Sequence, residues 1–217
     1  MGTPAATRGW RVLLLLAVAL IGGAAAFLRF REDSVESARG ADAARLMSDL
    51  MSGKAAIGGP FTLTDQHGAR RSLADFRGRY VLLYFGYTFC PDVCPTDMAA
   101  IGRAMAALGA DSGNFQPVFI TLDPERDTQE LLRNYAAAFH PRFVALRGRE
   151  DEVRRVATSY KVYFEKVRPP GSSVYLIDHM TFTFLLDREG NYVAFFPPGT
   201  PGERMATLAR ELLAARG

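Results

Sequence analysis

Apolar positions along this chain change their period several times, and each change marks an element. Residues 12–28 form an uncharged run of 17 residues rich in leucine and alanine, with Arg8 and Arg11 before it and Arg29 and Arg31 after it. Such a run exceeds the usual core of a signal peptide and stands at the short limit of a spanning helix. The stretch to residue 59 is alanine-rich with mixed charges and reads as a tether. Leu46, Met47, Leu50 and Met51 make one apolar edge of a short helix there before Gly53, Gly58, Gly59 and Pro60 end it. Residues 61–64 and 69–71, around Asp65-Gln66-His67-Gly68, predict a small hairpin, with Ser72 opening a helical turn. The near-continuous apolar run 80–87 predicts a strand buried on both faces, as in a parallel sheet.

Helical spacing then takes over. Met98, Ile101, Met105 and Leu108 share one face of a helix that starts at Pro95 and stops at Gly109. Residues 116–122 are the next strand. Asp127, with Glu130 three residues on, signals a helix start, and Leu131 or Leu132, Tyr135, Ala136 and Phe139 supply its apolar face. A strand at 143–146 and a helix with Val153, Val156, Ala157 and Tyr160 on its inner face come next. The remainder is mostly β: 162–167, 174–177, 182–186 and 192–196, with a turn at 188–191 and an exposed proline-rich loop at 168–173 suited to partner contact. Thr200, Pro201 and Glu203 predict a capping box for a last helix whose apolar face is Met205, Leu208, Ala209 and Leu212. Strand and helix alternate before a hairpin and a closing helix, which is the order of an α/β domain.

Composition narrows this little. The 217 residues are 48% hydrophobic and 23% charged, and the formal charge of +3 is spread without a lysine-rich run or a basic stripe, so nucleic acid is not an expected partner. Residues 60–217 are long enough to bury one core.

The chemistry concentrates at two cysteines, Cys90 and Cys94, the only ones in the chain. They follow the buried strand, and the turn through Pro91 and Asp92 sets both sulfurs at a helix N-terminus, beyond the end of a central strand, where open α/β sheets bind ligands. Partial positive charge and unpaired amides there favour thiolate, the form that attacks disulfides and binds metals. A structural disulfide between them would close a loop of a few residues and contribute little. Two thiolates on one metal lie about 3.5 to 4 Å apart, wider than a disulfide, and the three intervening residues allow that bite without excluding the bond. The Thr-x-x-Cys spacing of peroxiredoxins is absent, because Thr88 is only two residues before Cys90.

Other metal-binding residue types have plainer readings. Periodicity assigns Met98 and Met105 to the core rather than to thioether ligation of a soft metal. His67 is an exposed turn residue, and His140, ahead of Pro141, covers terminal carbonyls. Asp123 and Glu125 cap and solvate a turn, with a role near the thiols as the alternative. Asp92 either tunes the thiols or contacts a partner, or is an exposed turn residue. His179, ending an apolar strand, taken alone reads as a satisfied core residue or as a third ligand; Asp178 points to the other side of that strand.

Cys90-Pro91-Asp92-Val93-Cys94-Pro95 resembles the Cys-Pro-Asp-x-Cys-Pro signature of the Sco/SenC family of thioredoxin-like copper proteins. Tyr175-Leu176-Ile177-Asp178-His179 and the Asp-Pro-Glu-Arg-Asp-Thr block at 123–128 match two further family features in the right order, across residues 61–196. One departure is Met180, where the family more often has Ser or Thr; here Thr follows at Thr181. The resemblance implies a thioredoxin-like fold with an inserted β-hairpin, and the uncharged run 12–28 is expected to precede it as one transmembrane helix. It implies Cys90, Cys94 and His179 as ligands of copper, Cu(I) with Cu(II) as a second state. The implied role is a metallochaperone rather than an enzyme, delivering copper to the CuA site of cytochrome c oxidase subunit II after an upstream copper donor or thiol reductant has acted. The alternative is a membrane-anchored thiol–disulfide oxidoreductase with Cys90 and Cys94 as its redox pair. The expected layout is a cytoplasmic stretch 1–11, an anchor or signal segment 12–28, a linker 29–59 and the copper-binding domain 60–217. Positive charges on both sides of the anchor do not orient it; the thiol site and the resemblance put the domain outside the cytoplasm. Only 11 residues precede the apolar run, too few for a mitochondrial presequence, so the bacterial inner membrane with a periplasmic domain is expected, the mitochondrial inner membrane facing the intermembrane space being the alternative.

Overall fold

Two seven-residue strands, β3 (Tyr80–Gly86) and β4 (Phe115–Thr121), are buried at every position and run parallel at the centre of the sheet. This is a computed structural model that describes residues 56–216 and Ser48. The chain divides into two compact units, Met1–Asp49 and Leu50–Gly217, and of the first only the exposed Ser48 is described. The expected segment 12–28 lies outside the described residues, and among these no helix is long and apolar enough to cross a membrane.

The sheet has the order β2-β1-β5-β4-β3-β8-β9. β5 (Val144–Arg147) extends the parallel set; β1 (Thr62–Asp65) and β2 (Arg70–Ser72) add an antiparallel hairpin at one edge, and β8 (Thr183–Leu186) and β9 (Tyr192–Phe196) add another at the opposite edge. Helices α1 (Val93–Leu108) and α2 (Gln129–Phe139) connect the parallel strands, α3 (Glu150–Ser159) follows β5, and α4 (Gly202–Arg216) closes the chain against α1. Alternation along β3 sends successive rings to opposite faces. Tyr84 stacks on Phe119, which meets Tyr135 of α2, whereas Phe85 meets Tyr160 beyond α3. A second sheet consists only of the hairpin β6 (Phe164–Val167) and β7 (Leu176–His179). Ile57 is buried and the Gly58 amide donates to the Ser159 carbonyl, so part of the expected linker packs on this fold.

Three predicted helix starts are corrected. α1 begins at Val93, two residues before Pro95, because a first-turn proline lacks only an amide that has no helical partner. Thr128, not Asp127, caps α2, its side chain accepting from the Leu131 amide; Asp127 turns inward and is fully buried. Thr200 does not cap α4, since its hydroxyl donates back to the Pro197 carbonyl, and the first helical bond runs from the Met205 amide to the Pro201 carbonyl.

The helix packing sets a limit on volume. A Cβ on Gly102 of α1 would stand 2.5 Å from the carbonyl oxygen of Phe139, where α2 ends. Alanine would gain about 1 kcal/mol of helix propensity, yet the obstructing atom is backbone and yields only if α2 moves. Gly102→Ala is expected to cost roughly 1–3 kcal/mol net, read as a lower urea midpoint; an unchanged midpoint would mean that the helices part easily.

Candidate metal centre

The buried strand β3 delivers the chain to the loop that carries the thiols. After β3 the Cys90 amide donates to the Tyr87 carbonyl, a turn that brings Cys90 back over the start of α1. Asp92 occupies the helix N-cap without a side-chain cap bond, and Cys90 caps in its place, its Sγ accepting from the Cys94 amide at 3.4 Å. Cys94 is fully buried in the first turn and Cys90 is half-buried, and both are free thiols. Gly86 makes the room beneath them, because a Cβ there would lie 3.1 Å from Cys94 Sγ and 2.9 Å from the Tyr84 ring.

His179 arrives from the separate hairpin, where it pairs with Phe164 at the end of β7. Its Nε2 lies 3.3 Å from Cys94 Sγ, across 85 residues of sequence. Nδ1 is 3.1 Å from the Met180 carbonyl oxygen, a contact in which the nitrogen is the donor, so the Nε2 lone pair faces the sulfur. Tyr87 meets the imidazole edge-on at 5.9 Å. The donor atoms of Cys90, Cys94 and His179 all lie within 4.8 Å of one another. Two thiol sulfurs and one imidazole nitrogen are a soft donor set of the kind that Cu(I) and zinc accept.

The thiol pair is electrically unequal. The Cys94 thiol donating to Cys90, aided by the amides of Asp92 and Cys94, pulls the Cys90 thiol down to about 3 against the opposing effect of burial. Cys94 moves the other way, held protonated by its hydrogen bond to Cys90 and by burial.

The other residues singled out in the sequence stand apart from this set. Asp178 and Asp92 are exposed and His67 lies in its exposed turn. Met98 and Met105 are core residues, at 0% and 1% exposure. His140 accepts at Nδ1 from the Arg142 amide. Asp123 corrects the solvated-turn expectation: it is 0% exposed and bound to Arg126 and Tyr175. Asp127, expected at a helix start, instead supports the thiol loop. Its carboxylate accepts from the Thr88 amide at 3.1 Å and hydroxyl at 2.6 Å, and from the Thr121 hydroxyl at 2.5 Å. The acidic residues of the 123–128 block are visible in the sequence, but the Thr88 and Tyr175 partners that tie them to the two halves of the site are 39 and 52 residues away, so only the fold reveals their direction.

A thioredoxin-like α/β domain with two cysteines at the β3–α1 turn and a histidine on an added hairpin is the class that this architecture defines. Residues 50–214 match the SCO1/SenC family, and the chain belongs to that family. An SCO2-like protein of Rickettsia prowazekii is 42% identical over 144 residues, 66% of this chain and 70% of the relative. Matches to mitochondrial SCO proteins of Arabidopsis thaliana, Saccharomyces cerevisiae and Bos taurus span 43%, 60% and 62% of those relatives' lengths. Among solved structures, Arabidopsis thaliana ScoI with copper bound has a TM-score of 0.69 at 35% identity, covering 74% of this chain and 99% of that one. Bradyrhizobium japonicum ScoI with copper bound has a TM-score of 0.66 at 40% identity, covering 72% and 99%.

Because folding lowers the Cys90 thiol, the stability it contributes is complete above its ordinary value of 9.0 and is lost as pH falls towards about 3. The reduced, metal-free protein is expected to alkylate at Cys90 at a rate that changes little between pH 8 and pH 5, whereas an ordinary thiol slows by about tenfold per pH unit. Cys94 stays unlabelled until the fold opens. Peptide mass spectrometry after a timed pulse of iodoacetamide reads both, and equal labelling of the two sulfurs would contradict the asymmetry.

Proposed function

We propose that this chain is a copper-binding metallochaperone that holds copper between Cys90, Cys94 and His179 and delivers it to the CuA site of cytochrome c oxidase subunit II. The carrying observation is the convergence of two sulfurs and one imidazole nitrogen, all within 4.8 Å, from segments distant in sequence. Copper is the cargo. Thiolates favour Cu(I) and imidazole accepts either common oxidation state, so the donor set fits. Cys90 is ready as thiolate, Cys94 gives up its proton as the ion arrives, and the Met180 carbonyl keeps the histidine tautomer that leaves Nε2 free. Cys90 and His179 are only partly buried, so an acceptor's ligands can reach the ion and exchange one bond at a time. The acceptor follows from the family resemblance. The uncharged run 12–28 serves as a membrane anchor or, in the alternative, as a signal segment; the thiol site and the resemblance place the domain outside the cytoplasm, on the periplasmic side of the bacterial inner membrane with the mitochondrial inner membrane as the alternative setting, and an upstream donor loads it.

The unequal thiols favour a second reading as a thiol–disulfide oxidoreductase. The Cys90 thiolate would attack a partner disulfide and expel one partner thiolate. Cys94, losing its proton, would then attack the Cys90 sulfur of the mixed disulfide and release the second thiolate, leaving Cys90–Cys94 oxidised and the partner reduced by two electrons. His179 has no necessary part in that sequence.

An anaerobic Cu(I) titration of the reduced protein against a competing chelator separates the readings. One copper per chain is expected, with affinity strongly reduced in Cys90→Ser and Cys94→Ser and reduced about 10- to 100-fold in His179→Ala. Weak binding indifferent to His179, alongside disulfide reduction that His179→Ala leaves intact, would overturn the chaperone reading in favour of the reductase.

A further inference from the structure

The two halves of the site belong to different sheets. The thiols sit on the β3–α1 turn of the main sheet, whereas His179 rides on a two-stranded hairpin that shares no strand pairing with it. An isolated two-stranded hairpin is marginal in water. Phe164 and Ile177 bury the inner side of this one, which fixes it to the core without specifying a sub-ångström position for the imidazole.

Polar links from the hairpin and its lead-in residue run to the loop after β4. Lys166 pairs with Glu125 at 2.6 Å, but both are exposed, and such pairs contribute little. The buried link is stronger. The Tyr175 hydroxyl donates to Asp123 Oδ1 at 2.9 Å, and Arg126 reaches both segments at once. Its Nε pairs with the fully buried Asp123 at 2.5 Å, and its Nη1 donates to the Tyr175 carbonyl at 3.0 Å. The guanidinium carbon lies 3.7 Å from the centre of the Tyr175 ring on the histidine side and 4.8 Å from that of Phe89, the neighbour of Cys90. Arg126 is thus wedged between the thiol loop and the strand that leads to His179, with only 17% of its side chain exposed. Its Nη2 is buried without a hydrogen-bond partner, so the charge is held by the ion pair, the carbonyl bond and the ring contacts.

We propose that Arg126 is a positioning residue that holds the His179 hairpin in register with the two thiols, touching no ligand atom itself. The planar guanidinium suits this role because it makes an ion pair, a carbonyl bond and a ring stack together, which a lysine ammonium cannot do. This rests on the ligand set proposed above, and the test separates the two.

The experiment is a double-mutant cycle on the full chain with Arg126→Lys and His179→Ala, reading Cu(I) affinity by chelator competition. A neutral replacement of the ion pair, Asp123→Asn with Arg126→Gln, guards against loss of folding from an orphaned buried carboxylate. In the His179 background, Arg126→Lys is expected to weaken copper binding about tenfold. In the His179→Ala background it changes affinity by less than about twofold, because the effect passes through the histidine. In the metal-free protein, amide exchange at Ile177, Asp178 and His179 accelerates in Arg126→Lys while exchange in β3 and β4 does not, a pattern that general destabilisation would not produce. The neutral pair reproduces the loss. An equal fall in affinity in both backgrounds, or unaltered exchange in the hairpin, overturns the proposal. A His179→Ala protein that binds copper as well as the unaltered chain overturns the ligand set instead.

Discussion

Everything at this site depends on holding a histidine nitrogen 3.3 Å from a buried sulfur that is 85 residues away in the chain. Neither segment can supply that proximity alone. The thiol half is rigid because β3 is buried at every position and α1 starts on the sulfur that it must present. The histidine half is a small hairpin whose orientation is set by what it touches. A three-donor site is therefore also a joint between two sheets, and its precision is that of the joint.

The loop from Asp123 to Thr128 supplies the joint without supplying a ligand. It buries two carboxylates, Asp123 and Asp127, both at 0% exposure. Uncompensated, burial of that kind would cost several kcal/mol per group. Each draws at least one donor from a segment that carries a candidate ligand. Asp127 gathers the Thr88 amide and hydroxyl ahead of Cys90, whereas Asp123 gathers Arg126 and the Tyr175 hydroxyl ahead of His179. Satisfying the loop's own charges and aligning the site are one requirement, so the cost of burying acid next to the thiols returns as positional accuracy.

The same coupling governs the proton between the cysteines. One S–H shared across the pair keeps the half-buried sulfur anionic and the fully buried one neutral, which avoids placing two negative charges in one partly buried pocket. A cation entering there meets one ready thiolate, one thiol that ionises in response, and one imidazole with its tautomer already chosen. A partner disulfide would meet the same nucleophile. The geometry is consequently competent for both kinds of chemistry, and the histidine is what distinguishes them.

The sequence by itself determined the elements that follow from period and punctuation: the fully buried strand before the cysteines, the methionine-lined helix after them, the alternating strands and the hairpins. Burial of β3 at every position needed only an apolar run of strand length, whereas β4 also buries Gln116 and Thr121, which no apolar run announces. Cys90 and Cys94 were legible as a pair because four residues at a helix entry bring sulfurs together whatever the rest of the chain does. His179 was legible only through the family resemblance, since a histidine ending an apolar strand has no local mark of a ligand. Tertiary structure decided what acids and caps were for. Near a turn, Asp127 and Asp123 read as solvated or capping residues, because the donors that draw them inward, Thr88 and Tyr175, stand 39 and 52 residues away. Thr200 and Pro95 misled for a local reason: cap signals state what a residue can do, and a carbonyl or sulfur three or four residues away competes for the same turn. Local periodicity is written in the chain because it answers to water, whereas the direction of a buried charge answers to partners that only folding assembles.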